Sequence, residues 1–272
     1  MKTIINTEYV GILTERFICD YFGISFSSKR TYTSDSVSDL RDCIYQVLSK
    51  MDIQCVKHIG GLNNSVDFLM PNHRKLSVIT NISPRMMVCP QNIGQLSFGR
   101  VKDVFGISID VFKEYVVNNL STFLTLQIQN LFTCDETIVF SYYTGVGYFI
   151  TKTYHLPKMD NENLTLSRYA SEWRERTTIY SNGISIAECQ VHQARKTIKF
   201  RFNFKDLVKT RIDGICVKEY CLNQRFLFKV ERMITELDHN QCLGYSKKNT
   251  RCKRVGNRGG YCFQYSVLSF KH

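Results

Sequence analysis

Apolar side chains recur at three- and four-residue spacing in Val10, Leu13, Phe17, Ile18, Tyr21 and Phe22, which predicts a helix over residues 7–23 that stops at Gly23. Glu15 falls on or beside the polar edge of that stripe. A serine- and threonine-rich connection, residues 25–38, leads to a second amphipathic helix over 40–51. A strand is expected at 54–59, and Gly60-Gly61-Leu62-Asn63-Asn64 turns the chain into a strand that carries Asp67. Two short apolar runs, 63–70 and 76–81, flank a turn at Pro71-Asn72-His73.

Residues 111–132 hold the best long helical pattern. Strands follow at 137–143 and 148–154, joined by Thr144-Gly145-Val146-Gly147, and residues 161–175 are polar and read as helix or loop. Three more strands are expected at 177–179, 184–187 and 197–204. In the last, Ile198, Phe200, Phe202 and Phe204 alternate with Lys199, Arg201 and Asn203. That alternation describes either a sheet whose exposed side meets phosphate or an ordinary amphipathic edge strand. Helices at the start, strands in the middle and a helix between them point to an α/β (α+β) core. No repeat or low-complexity linker interrupts it, and a domain break is expected after Asp238, giving residues 1–238 and 239–272.

At 272 residues and 43% apolar, the chain can bury one sizeable core with a small appendage. Lysine and arginine outnumber acids 36 to 24, and the resulting charge of +12 favours a polyanionic partner such as nucleic acid. The surplus is concentrated: Lys247, Lys248, Arg251, Lys253, Arg254, Arg258 and Lys271 lie in a tail without a single acid. Eleven cysteines make an odd number, and eight are scattered singly (Cys19, Cys43, Cys55, Cys89, Cys134, Cys189, Cys216, Cys221). This suits a reducing, intracellular compartment. The beginning of the chain lacks a secretory pattern. The most apolar stretch, 116–132, is broken by Asn118, Asn119, Thr122, Gln127 and Gln129, so no membrane span is expected.

Asp67 and the strand after it have the layout of a nuclease metal site. Such chemistry needs a carboxylate at the end of one strand, and a second acceptor and a lysine alternating on one face of the next. Ser77 and Ile79 share a face here, and Ile79 stands where the lysine should be. Leu76-Ser77-Val78-Ile79-Thr80-Asn81 and Val88-Cys89-Pro90-Gln91-Asn92-Ile93-Gly94-Gln95 resemble segments of restriction-endonuclease-like members of the PD-(D/E)XK nuclease superfamily. So do Gly11-Ile12-Leu13-Thr14-Glu15-Arg16 and Ala187-Glu188-Cys189-Gln190-Val191-His192-Gln193-Ala194-Arg195, so the resemblance spans most of residues 8–205.

The resemblance implies a mixed central sheet flanked by helices and Mg²⁺-dependent hydrolysis of duplex DNA. It makes Asp67 and Glu15 the magnesium ligands and places Ser77 at the second acid of the motif. Isoleucine can neither carry charge nor orient water, so losing the lysine should cost several kcal/mol of transition-state stabilisation. Ile79 therefore leaves three readings: natural loss of catalysis with DNA binding kept, an engineered knockout, or rescue, for which Lys75 lies on the same face one pair earlier. The alternative function is a non-catalytic nucleic-acid-binding or structural protein on the nuclease fold. Gln91, Gln95, His192, Arg195, Lys199, Arg201, Lys253 and Arg254 are the expected DNA contacts. Trp173 is expected in the core or an interface rather than stacked on a base, and a homodimer is a further expectation.

In the tail, nine residues separate Cys242 from Cys252, Cys252 from Cys262, and Cys262 from His272. Three thiolates and an imidazole make a tetrahedral Zn²⁺ set, and a segment so poor in apolar residues needs a metal to fold. The segment resembles small Cys-rich zinc modules, with Tyr265 where their final histidine is expected. His272 or His239 would then be the fourth ligand, and three free surface thiols are the alternative.

Overall fold

The computed structural model of the chain describes residues 7–27, 38–61, 65–153, 155–159 and 163–222. The boundary after Asp238 and the tail residues Cys242, Cys252, Lys253, Arg254, Cys262 and His272 lie outside them. Two helices, α1 (Thr7–Phe22) and α2 (Ser38–Leu48), come first. They are followed by β1 (Lys57–His58), β2 (Phe68–Leu69), β3 (Lys75–Asn81), β4 (Met87–Val88) and β5 (Gln95–Ser97). Next come α3 (Phe98–Phe105), α4 (Phe112–Asn118), α5 (Leu120–Leu131), β6 (Glu136–Ser141), β7 (Val146–Lys152), β8 (Lys158–Met159) and β9 (Leu164–Leu166). The remainder is β10 (Arg176–Ser181), β11 (Ile184–His192), β12 (Thr197–Asn203), α6 (Phe204–Leu207), β13 (Ile212–Asp213) and β14 (Ile215–Cys221).

The first sheet has the order β1-β2-β3-β6-β7-β14. It is mixed: β3 and β6 are parallel and its other neighbours antiparallel. The second sheet, β4-β12-β11-β10-β9 with β5 also on β12, is antiparallel throughout. A mixed sheet flanked by helices is the architecture the sequence predicts.

Helix α1 presents Val10, Leu13, Phe17 and Ile18, all buried, and packs against α2 and β3. At Gly11 the helix comes close to the sheet, where a Cβ would lie 3.4 Å from Oγ1 of Thr80. Thr14 bonds the Tyr142 hydroxyl at 2.6 Å, tying α1 to the end of β6. A hydrophobic core cluster lies between the sheets. It joins Val139, Tyr148 and Ile150 of the first sheet to Phe112, Phe123 and Ile128 of α4 and α5 and to Phe200 and Phe202 of β12. Each fully buried side chain of this size contributes roughly 1.5–3 kcal/mol. Edge-on pairs such as Phe123–Phe200 at 5.3 Å and Phe200–Phe202 at 4.8 Å add about 0.5–1.5 kcal/mol apiece. Trp173 is 1% exposed and joins this core, as expected.

The hairpin of β2 and β3 turns through Pro71–His73, where Asn72 (φ 61°) and His73 (φ 60°) take left-handed backbone. Residues 111–132 do not form one helix. α4 and α5 break at Asn119 (φ −126°, ψ 34°), whose side-chain amide donates to the Tyr115 carbonyl at 3.0 Å, the competing local bond that weakens asparagine inside helices. The strands expected at 177–179 and 184–187 are longer, because Asn182-Gly183, both at positive φ, forms a two-residue hairpin turn that lets pairing run to His192. Gln190 and His192 thus stand within a strand rather than after one. Residues 163–175 are loop apart from β9, and α3 and β14 are elements the apolar pattern does not announce.

No disulfide joins the described cysteines; Cys19, Cys43, Cys55, Cys134 and Cys189 are buried. Burial pushes the Cys19 and Cys55 thiols up to about 12, which leaves them unreactive. No helix among the described residues is long and apolar enough to cross a membrane.

Candidate functional site

Asp67 sits where β1, β2 and β3 meet. Its amide donates to the Leu76 carbonyl (3.0 Å), and its own carbonyl accepts from Ile59 (2.8 Å) and Gly60 (3.0 Å). The backbone is therefore fixed on both sides. The carboxylate is fixed too: Oδ2 accepts the Val78 amide at 2.6 Å and the Ser77 hydroxyl at 3.3 Å. Period two along β3 makes this possible, with Ser77 buried beside the acid.

Glu15 reaches the same place from α1. Its Oε2 accepts from Nε2 of His58 at 2.9 Å. The tautomer of His58 follows from its other nitrogen, which lies 3.1 Å from the Ser27 amide and 2.7 Å from the Ser27 hydroxyl. A backbone amide can only donate, so Nδ1 accepts and the ring proton sits on Nε2, aimed at Glu15. The ring is held between Phe26 (4.8 Å) and Phe68 (5.0 Å) and its side chain is wholly buried.

Gly60 shows how closely these groups converge. A Cβ at that position would lie 2.8 Å from Nε2 of His58, 2.9 Å from Oε2 of Glu15 and 3.4 Å from Oδ1 of Asp67. Oε2 of Glu15 and Oδ1 of Asp67 thus approach the same side of Gly60, where a methyl group would not fit. Burial, and then the neighbouring Glu15 charge, push the Asp67 carboxyl up to about 7, while its bonds from Val78 and Ser77 oppose the rise. Two carboxylates this close together offer oxygen donors of the kind a hard divalent cation takes.

The predicted residues Asp67, Glu15 and Ser77 are brought together. Ile79 is half-buried, packs on the inter-sheet core and lines a cleft of about 1020 Å³ next to them. Lys75 lies at the exposed start of β3, where its amide donates to Oδ2 of Asp135 at 2.8 Å. Among the expected DNA contacts, Gln91 and Arg201 line the cleft with Arg85, Asn203 and Lys205. Arg201 is already paired with Glu188, its Nε 2.8 Å from Oε1. Gln95 and Lys199 are direct cross-strand neighbours on β5 and β12. His192 bonds Gln190 on β11 at 2.9 Å, and Arg195 is exposed in the turn that follows.

Sequence reasoning passed over His58, Ser27 and Gly60. A histidine at an inward position of an expected strand, next to Gly60-Gly61, was the available signal.

Among comparisons with known proteins, no family model and no solved structure matches the chain. Over 213 residues it is 26% identical to the type II restriction enzyme CviAII of Paramecium bursaria Chlorella virus 1. The aligned part is 75% of this chain and 60% of that protein, so the chain spans about 60% of the length of the curated relative.

Proposed function

We propose that this chain is a restriction-endonuclease-like protein of PD-(D/E)XK type that binds duplex DNA at the cleft beside Asp67, with a site built for Mg²⁺-dependent phosphodiester hydrolysis. The observation that carries the reading is the convergence of Glu15 and Asp67 beside Gly60, next to a cleft with basic side chains. Similarity to a type II restriction enzyme over most of the chain supports it.

Asp67 and Glu15 would hold the magnesium, which when bound supplies Lewis acidity at a phosphate. Val78 and Ser77 keep the Asp67 carboxylate pointed at that place, and Nε2–H of His58 does the same for Glu15. The wholly buried His58 ring, locked by Ser27, spares Glu15 the entropy of finding its rotamer. Ile79 contributes an apolar wall where the resemblance calls for a cation. A second reading is favoured by that residue: a DNA-binding protein that keeps the fold and has lost cleavage. The tail reading stands beside both, with a zinc site of Cys242, Cys252, Cys262 and His272 appended after residue 238; it rests on the spacing of these residues.

Plasmid digestion with Mg²⁺ and with Mn²⁺, run on this chain and on Ile79→Lys, tests the proposal. The nuclease site predicts a gain of about 10²–10³-fold on restoring the cation. Duplex binding without cleavage in either protein would favour the second reading, and absence of duplex binding in both would overturn the two together.

A further inference from the structure

The outer face of the second sheet carries another depression, of about 610 Å³, lined by Arg168, Arg174, Glu175, Arg176, Gln190 and His192. Its lining lies one cross-strand row from that of the cleft. On β10, β11 and β12 one cross-strand row reads Thr178, Glu188, Arg201, and these three line the cleft. The next row on the same face reads Arg176, Gln190, Lys199. Two residues along a strand is roughly 7 Å, the axial rise of about two base pairs of duplex DNA. A duplex seated in the cleft therefore offers backbone phosphates to the second row and to the loop beyond it.

The charge there is available. Arg168, Arg174 and Arg176 are exposed, and none forms an ion pair with another described residue, whereas Arg201 of the cleft is paired with Glu188. Glu175 is the single carboxylate in the lining, against three guanidinium groups. The scaffold is held from beneath. Lys113 donates to the carbonyls of Trp173 and, at 2.9 Å, of Arg174, and the Val191 amide donates to the Glu175 carbonyl at 2.7 Å. The Gln190 side chain is oriented by Glu188 on one side (2.8 Å) and His192 on the other (2.9 Å). The loop backbone is anchored while the guanidinium groups stay free, which suits bidentate recognition of phosphate oxygens.

We propose that Arg168, Arg174 and Arg176, with Gln190 and His192, form a phosphate-binding pocket that grips the sugar-phosphate backbone of duplex DNA outside the cleft. The proposal rests on the duplex-DNA reading above and adds the place where the backbone is held. It does not depend on cleavage.

Fluorescence anisotropy of a labelled 24-base-pair duplex, titrated with the full chain at several salt concentrations, tests it. Arg174→Ala/Arg176→Ala should lose affinity about tenfold or more on every sequence tried, and the slope of log affinity against log salt should become shallower by about one to two, near 0.9 per lost phosphate contact. Arg174→Lys/Arg176→Lys should recover most of the slope. Arg41→Ala/Lys50→Ala, which removes the same charge from α2 and the turn after it, should bind almost as the native chain does. Native-like affinity and slope in the Arg174→Ala/Arg176→Ala protein would overturn the pocket alone, as would an equal loss in the α2 control. A native chain that fails to bind the duplex would overturn the functional reading and the pocket with it. Thermal unfolding of each variant shows that it is folded.

Discussion

The acidic pocket at Gly60 and the outer face of the second sheet are built on opposite terms. In the first, Asp67, Glu15 and His58 are largely or wholly enclosed, and nearly every polar atom named has a fixed partner in the backbone or a neighbouring side chain. In the second, Arg176 and Lys199 stand on paired strands and Arg174 on the loop beside them, with no ion pair to another described residue. A hard cation and a reacting phosphate demand position to within fractions of an ångström, so the groups that would meet them are locked. A backbone slides and bends, and counterion release rewards charge more than geometry. The contrast separates chemistry from grip, and it can be broken at either side.

The largest effect is expected in cleavage. In an Ile79→Lys protein, Asp67→Ala should lower plasmid nicking about 10²–10³-fold, while anisotropy shows duplex affinity changed by less than a factor of about three. A comparable fall in affinity would mean that the two regions are not separate.

Stability comes next. The folded-state Asp67 carboxyl, near 7, stands above its ordinary 3.8, so the folded chain holds that proton more tightly than the unfolded chain does. Stability from this group is therefore greatest below about pH 4 and declines as pH rises toward 7, where the buried carboxylate must be ionised. Asp67→Asn should stabilise the protein at pH 8 by roughly 1–4 kcal/mol in urea melts and change little at pH 4. Adding Mg²⁺ should raise the native melting temperature at pH 8 and leave that of Asp67→Asn nearly unmoved.

Gly60→Ala should cost about 1–3 kcal/mol, because the new methyl group meets His58 and Glu15 inside contact distance and the pocket cannot relax without losing their hydrogen bond. A melt equal to that of the native chain would show the pocket to be softer than its contacts imply.

The smallest expected change is on the basic side. Lys253→Glu/Arg254→Glu should weaken duplex binding several-fold for all sequences alike, with a reduced salt slope. A sequence-dependent loss would move these residues from grip to readout.

The chain announces some of this plainly. Asp67, the turn at Pro71 and the alternation of β12 are local patterns, and each depends on neighbours a few residues away. The helix stripe of α1 does too, and with it the place of Glu15. What stayed hidden depends on distant partners. The short strands β4 and β5 are two or three residues long, and only pairing with β12 makes them strands at all. The break at Asn119 sets a side-chain bond against a strong apolar periodicity, which outweighs it in any reading of pattern alone. His58 looks like one polar residue in a strand until Ser27 and Glu15 arrive from two other segments.

Pairing between β5 and β12 sets Gln95 against Lys199, and the parallel pairing of β3 with β6 waits on the whole crossover between them. Contacts so far apart along the chain form slowly, since a long loop must close before they stabilise anything. The hairpin that carries Asp67 needs no such wait. During synthesis, the acid and its strand therefore leave the ribosome well before the face that would hold DNA, so the residues of the proposed metal site precede those of the proposed grip.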